Sequence, residues 1–68
     1  MLVNVEERTL RDGTHCTLLQ ELGIAFLQAG TRAVWRVRVP ADIMLATLSS
    51  SDNTPLENWL RDDERHLR

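Results

Sequence analysis

Lysine is missing from this sequence, cysteine occurs once, and apolar residues never run on for long. With Cys16 alone, no intrachain disulfide forms. Cys16, His15 and His66 show none of the spacings that zinc sites use, so neither a metal nor a cofactor is expected. No stretch approaches the roughly 18 apolar residues of a membrane span. No basic segment followed by an apolar run marks a signal peptide. These absences predict a cytoplasmic protein that does not enter a membrane.

Without lysine, arginine carries all the positive charge. Eight Arg stand against ten Asp and Glu, for a net charge of -2. Genomic bias is the simplest account, although arginine also suits planar, bidentate contacts. The acidic balance argues against an unspecific nucleic-acid binder. A local basic strip on an acidic protein stays open.

Sixty-eight residues make one domain. A chain of this size buries only about 60% of its unfolded surface. Small domains usually add a disulfide, a metal or a partner chain, and here the partner chain is left. The reading is a homodimer.

Leu2 to Val5 carry β-formers and read as a short strand, with Val3 and Val5 on one face. Glu6 to Arg11 is charged and ambiguous, and Asp12-Gly13 signals a turn. Thr17-Leu18-Leu19-Gln20 matches a capping box. From there Leu18, Leu22, Ala25, Phe26 and Ala29 share one face of a helix that Gly30 would cap. Ile24 and Leu27 lie off that stripe, so the helix is apolar on more than one side and calls for a second cover. The competing reading makes Gly23 to Gln28 a strand turning at Ala29-Gly30-Thr31. The length of the stripe favours the helix.

Ala33 to Val39 is the clearest strand. Trp35, Val37 and Val39 alternate with Val34, Arg36 and Arg38. Pro40 ends it or opens a helix, and Ala41 to Leu48 forms two turns burying Ile43, Met44, Thr47 and Leu48. Ser49 to Asn53 is a loop. Thr54-Pro55-Leu56-Glu57 then predicts a C-terminal amphipathic helix with Thr54 and Glu57 as a capping box. Its stripe is Leu56, Trp59, Leu60 and Leu67, with Glu57–Arg61 and Glu64–Arg68 as pairs four apart. Asp63 falls inside the stripe, so either the helix leaves the core after about Leu60 or Asp63 meets an Arg across an interface, and its second half reads as exposed and available to a partner. The fold class is α+β: short strand, helix, strand, short helix and C-terminal amphipathic helix.

Two motifs invite comparison. Thr9-Leu10-Arg11-Asp12-Gly13 resembles the first-strand motif of barrel enzymes of the isopropylmalate synthase type. That resemblance would imply acyl transfer or aldol cleavage, with Glu7 beside a divalent metal. It covers five residues, and a barrel needs about 250. The plain reading is a strand end followed by an Asp-Gly turn. Residues Val34 to Leu48 resemble the ribbon-helix-helix family of DNA-binding dimers. That resemblance implies a strand placing Arg36 and Arg38 against guanine, and a second helix whose start at Thr54 meets a phosphate. The sequence departs from that pattern in three ways. The first helix is short, more than thirty residues precede the strand, and the last helix is acidic at Asp62-Asp63-Glu64.

Cys16 beside His15 suggests a nucleophile and base, but neighbours in sequence point apart and no third group orients the imidazole. Cys16 reads better as a small buried hydrophobe. The overall expectation is a small non-enzymatic protein that modulates a protein partner through Ile24, Leu27, Trp59, Asp62, Asp63 and Glu64. The alternative is a dimeric DNA-binding regulator using Arg36, Arg38 and Thr54. An enzyme dependent on Cys16 and His15 is the remote third.

Overall fold

The computed structural model describes residues 4–62. Four strands and two helices follow one another: β1 (Val5–Thr9), β2 (His15–Leu19), β3 (Ile24–Gln28), β4 (Trp35–Arg38), α1 (Ala41–Leu48) and α2 (Thr54–Asp62). The strands form one antiparallel sheet in chain order. The α+β class therefore holds, with a strand pair where the sequence suggested the first helix.

The correction falls on residues 17 to 29, which form β2, a turn and β3 instead of a helix. Side chains alternate across a strand. Cys16, Leu18, Ala25 and Leu27 are buried on one face, while Thr17, Leu19, Ile24 and Phe26 are half-buried on the other. An apolar stripe that seemed to wrap a helix is thus two faces of a strand pair. Leu22, assigned to that stripe, is 60% exposed at the turn. Gly23 closes this turn at φ 64, with its N–H on the Gln20 carbonyl. Its own carbonyl accepts the Val39 N–H at 2.8 Å. Gly30 is also left-handed, at φ 60, but it turns β3 toward β4 and caps no helix.

β1 lies further along the chain than predicted and runs through the charged segment. Leu2 and Val3 lie outside the described residues. β4 and α1 match their expected positions. Trp35 is half-buried, Val37 and Val39 are buried, and Arg36 and Arg38 are exposed. Pro40 precedes α1, and its carbonyl accepts the Met44 N–H.

Both helices cover the same side of the sheet. Met44 and Leu56 join Leu10, Cys16, Leu18, Ala25, Leu27, Val37 and Val39 in one core, with Ile43, Leu48, Trp59 and Leu60 packed around it. α1 and α2 also pack against each other. None of the side chains on the other face of the sheet belongs to this core. No described helix is long and apolar enough to cross a membrane.

The predicted capping box at α2 is not formed. The Thr54 N–H and hydroxyl both donate to the Asp52 carboxylate, and the Glu57 N–H donates to the Asn53 carbonyl. Asp52 sits two residues upstream, where an Asx turn forms readily, and the two bonds from Thr54 hold its carboxyl below the usual range. Glu57 turns instead to the first hairpin, where it accepts the Arg11 backbone N–H at 2.7 Å. The predicted Glu57–Arg61 pair is likewise absent, since Arg61 donates to Asn58 Oδ1. The Glu64–Arg68 pair and Leu67 lie outside the described residues.

Candidate functional site: a groove beside the last helix

The β1–β2 connection builds one wall of a groove. Gly13 donates its N–H to Leu10, and Leu10 donates to Thr14 at 2.8 Å, closing the turn. Asp12 Oδ1 accepts the Thr14 N–H at 2.9 Å, and bonds from Thr14 hold the Asp12 carboxyl below its ordinary range. These bonds brace the turn, and Arg11 is exposed on it. Across from it, α2 supplies Glu57, Asn58, Leu60 and Arg61. Glu57 ties the walls together through the Arg11 N–H, and the Arg11 guanidinium adds a contact at 4.0 Å.

Between the walls lies a concavity of about 450 Å³. Its floor is Leu10, Leu27, Trp35 and Leu60. Its rim carries charges of both signs, from Arg11, Asp12, Glu57 and Arg61. An apolar floor with a few polar groups at the mouth is the usual composition of a binding pocket.

The predicted protein-contact residues do not share one surface. Leu27 is 1% exposed and forms part of the groove floor. Trp59 packs partly buried against the core from α2, and Asp62 is exposed at the end of that helix. Ile24 lies on the opposite face of the sheet. Asp63 and Glu64 lie outside the described residues.

The nucleic-acid set is divided in the same way. Arg36 and Arg38 are exposed on the face turned away from the helices, whereas Thr54 lines the groove on the helical side. β4 is occupied along one edge by β3, so it is not the unpaired ribbon that the ribbon-helix-helix resemblance implies.

His15 and Cys16 point to opposite faces, as neighbours in a strand must. Cys16 is 1% exposed, and burial pushes its thiol up to about 11, partly offset by the Arg8 guanidinium. A protonated buried thiol is a poor nucleophile. The Thr9–Gly13 motif is the end of β1 and its turn, in a strand antiparallel to the next rather than a parallel barrel strand. Among the described residues, no three His, Cys, Asp or Glu side chains gather as a metal site would require.

Sequence reasoning missed Leu10, Arg11, Trp35 and Asn58 as partners in one site. The only signal available was the Asp12-Gly13 turn. No protein family, curated protein or solved structure matches the chain.

Proposed function

We propose that this chain is a small non-enzymatic binding protein that modulates a protein partner, and that the groove beside α2 receives an apolar side chain of that partner. The observation that carries this reading is the groove itself: about 450 Å³ with an apolar floor and a rim of mixed charge. Interface energy concentrates where a large side chain fills a dry pocket ringed by polar groups. A rim with both Arg and carboxylates suits a peptide segment, whose backbone offers donors and acceptors together. A duplex-DNA role for Arg36 and Arg38 draws less support. Glu7 stands in the same cross-strand row as Arg36, and the net charge is -2.

The test uses two variants in a pull-down from the native host. Asn58 is exposed on the rim, so Asn58→Trp plugs the groove without touching the core. Leu45 is 55% exposed on α1, so Leu45→Ser serves as the control. A partner held by wild type and Leu45→Ser but lost from Asn58→Trp supports the reading. Equal capture by all three overturns it.

A further inference from the structure

The sheet has a second face, and neither helix packs against it. The ladder register places its side chains in three rows, two of which cross all four strands. One row runs Val5, Leu19, Ile24, Arg38, and the other runs Glu7, Thr17, Phe26, Arg36. Each row is apolar or neutral in the middle. Both positive charges stand on β4 at one side, and Glu7 stands on β1 at the other. Val5 is 55% exposed, and Glu7, Arg36 and Arg38 are exposed. None of Glu7, Arg36 and Arg38 forms an ion pair among the described residues.

We propose that this open face docks a second copy of the same chain, face to face, about a two-fold axis parallel to the strands. The axis choice follows from the charges. Rotation about the strand direction reverses strand order while keeping each row at its own height. β1 of one copy then lies over β4 of the other, and β2 lies over β3. Glu7 meets Arg36 of the second copy, twice by symmetry. Phe26 meets Thr17, and Leu19 meets Ile24. An in-plane axis across the strands would lay β1 on β1 and β4 on β4, with like charges opposed.

The same charges disfavour pairing edge to edge. Joining β4 to β4 would gather Arg36 and Arg38 of both copies on one face, and like charges across a ladder are destabilising. Face-to-face packing at the ~10 Å spacing of stacked sheets, with strands within about 30° of each other, avoids that conflict. It also gives Leu19, Ile24 and Phe26 the apolar cover that the described chain does not.

The size of the face sets the strength. Four strands spaced by ~4.8 Å, each rising ~3.3 Å per residue over five residues, make a face of about 14 by 17 Å. This is well under the ~800 Å² per partner of a standard interface. The association is therefore weak, with a Kd on the order of 0.1 mM. It leaves one groove per copy on the outer surfaces.

Sedimentation equilibrium with a charge swap tests this. Glu7→Arg alone opposes two guanidinium groups at each contact, and Arg36→Glu alone opposes two carboxylates. Each variant alone should self-associate at least about tenfold more weakly than wild type. Mixed in equal amounts, the two variants relieve this repulsion. In the mixed dimer each contact joins one arginine to one carboxylate, and the double variant Glu7→Arg with Arg36→Glu makes the same test within a single chain. That chain carries opposite charges at both symmetry-related contacts, and its association should return to within about threefold of wild type. Circular dichroism checks that every variant keeps the fold. A wild-type chain that stays monomeric at about 1 mM, tenfold above the expected Kd, overturns the proposal. So does a double variant that associates no better than the single ones. Duplex-DNA binding that disappears in Arg36→Glu, with self-association unchanged, would assign the face to nucleic acid instead.

Discussion

Arg8 on β1 and Asn53 at the entry to α2 clamp the sheet to the helices across 45 positions of chain, with Arg8 Nη1 donating to Asn53 Oδ1 at 2.7 Å. The second terminal nitrogen donates to the carbonyls of Thr47 and Ser50. Asn53 returns a bond from Nδ2 to the Thr9 carbonyl, and Glu6 pairs with the same guanidinium. The Arg8 side chain is 12% exposed. One planar group thus serves the Thr47 carbonyl in the last turn of α1 and the Ser50 carbonyl just beyond it.

Arg8→Ala takes this donor from the Ser50 carbonyl and Asn53 Oδ1 and leaves the Thr47 carbonyl with the Ser50 N–H at 3.4 Å, and it should destabilise the fold by roughly 2–3 kcal/mol. Arg8→Lys should recover only part of this, because an ammonium has no fork. Urea unfolding of Arg8→Ala, Asn53→Ala and the double variant gives the coupling. Strictly additive losses would show that Arg8 and Asn53 are not coupled.

Gly23 sits at φ 64, a conformation that L side chains adopt at a cost. A Cβ there would meet only the Val39 carbonyl oxygen, at an ordinary 3.6 Å. The penalty for Gly23→Ala is therefore backbone strain rather than a clash. The expected loss is about 1 kcal/mol or slightly more. Thermal melts measure it directly, and a neutral or stabilising result would mean that the turn has another conformation.

Cys16 titrates alone at high pH. The chain has no lysine and no tyrosine. Its thiol is held near 11 in the folded state against an ordinary 9.0. Well below pH 9 the thiol is protonated whether the chain is folded or not, so it contributes no pH dependence. Between 9 and 11 the unfolded chain releases its proton while the folded chain retains it, so stability falls as pH rises. The urea midpoint of wild type should drop across this window, and that of Cys16→Val should stay flat. Iodoacetamide should also leave the native thiol unmodified at about pH 8, where it is buried and protonated.

Thr47 is fully buried, and its hydroxyl oxygen has no hydrogen-bond partner among the described residues. An unsatisfied buried hydroxyl is costly, whereas a methyl of the same shape is not. Thr47→Val should raise stability by roughly 1 kcal/mol, because the carbonyl that serves Arg8 is unchanged. A destabilised variant would show that the hydroxyl has a polar role in the core.

What can be read from the sequence depends on contrast along the chain. β4 alternates tryptophan and valine with arginine and is followed by proline, so its faces and its end are plain. α1 follows from Pro40 and matches its predicted bounds. β2 and β3 lack that contrast, since both of their faces are apolar at the centre of the sheet. A period of two with apolar residues on both faces imitates one of 3.6, and Gly23 is the one residue that marks the break. β1 is obscure for the opposite reason. Glu6 and Arg8 stand on the helical side at the sheet edge, where a polar head reaches a loop instead of the core. The groove is not legible because its walls lie far apart in the chain and are joined by contacts such as Glu57 to Arg11, across 46 positions.

The order of the strands also governs how quickly the molecule assembles. Each strand pairs with its neighbour in the chain, so every hairpin closes a short loop. Folds with local pairings pay little loop entropy before contacts reward them, and they fold at the fast end of the range for sheet proteins. The expected transition state is a zipped meander, with the Arg8 clamp closing afterwards. Variants in the Gln20–Gly23 turn should then slow folding, while Arg8 variants should mainly speed unfolding.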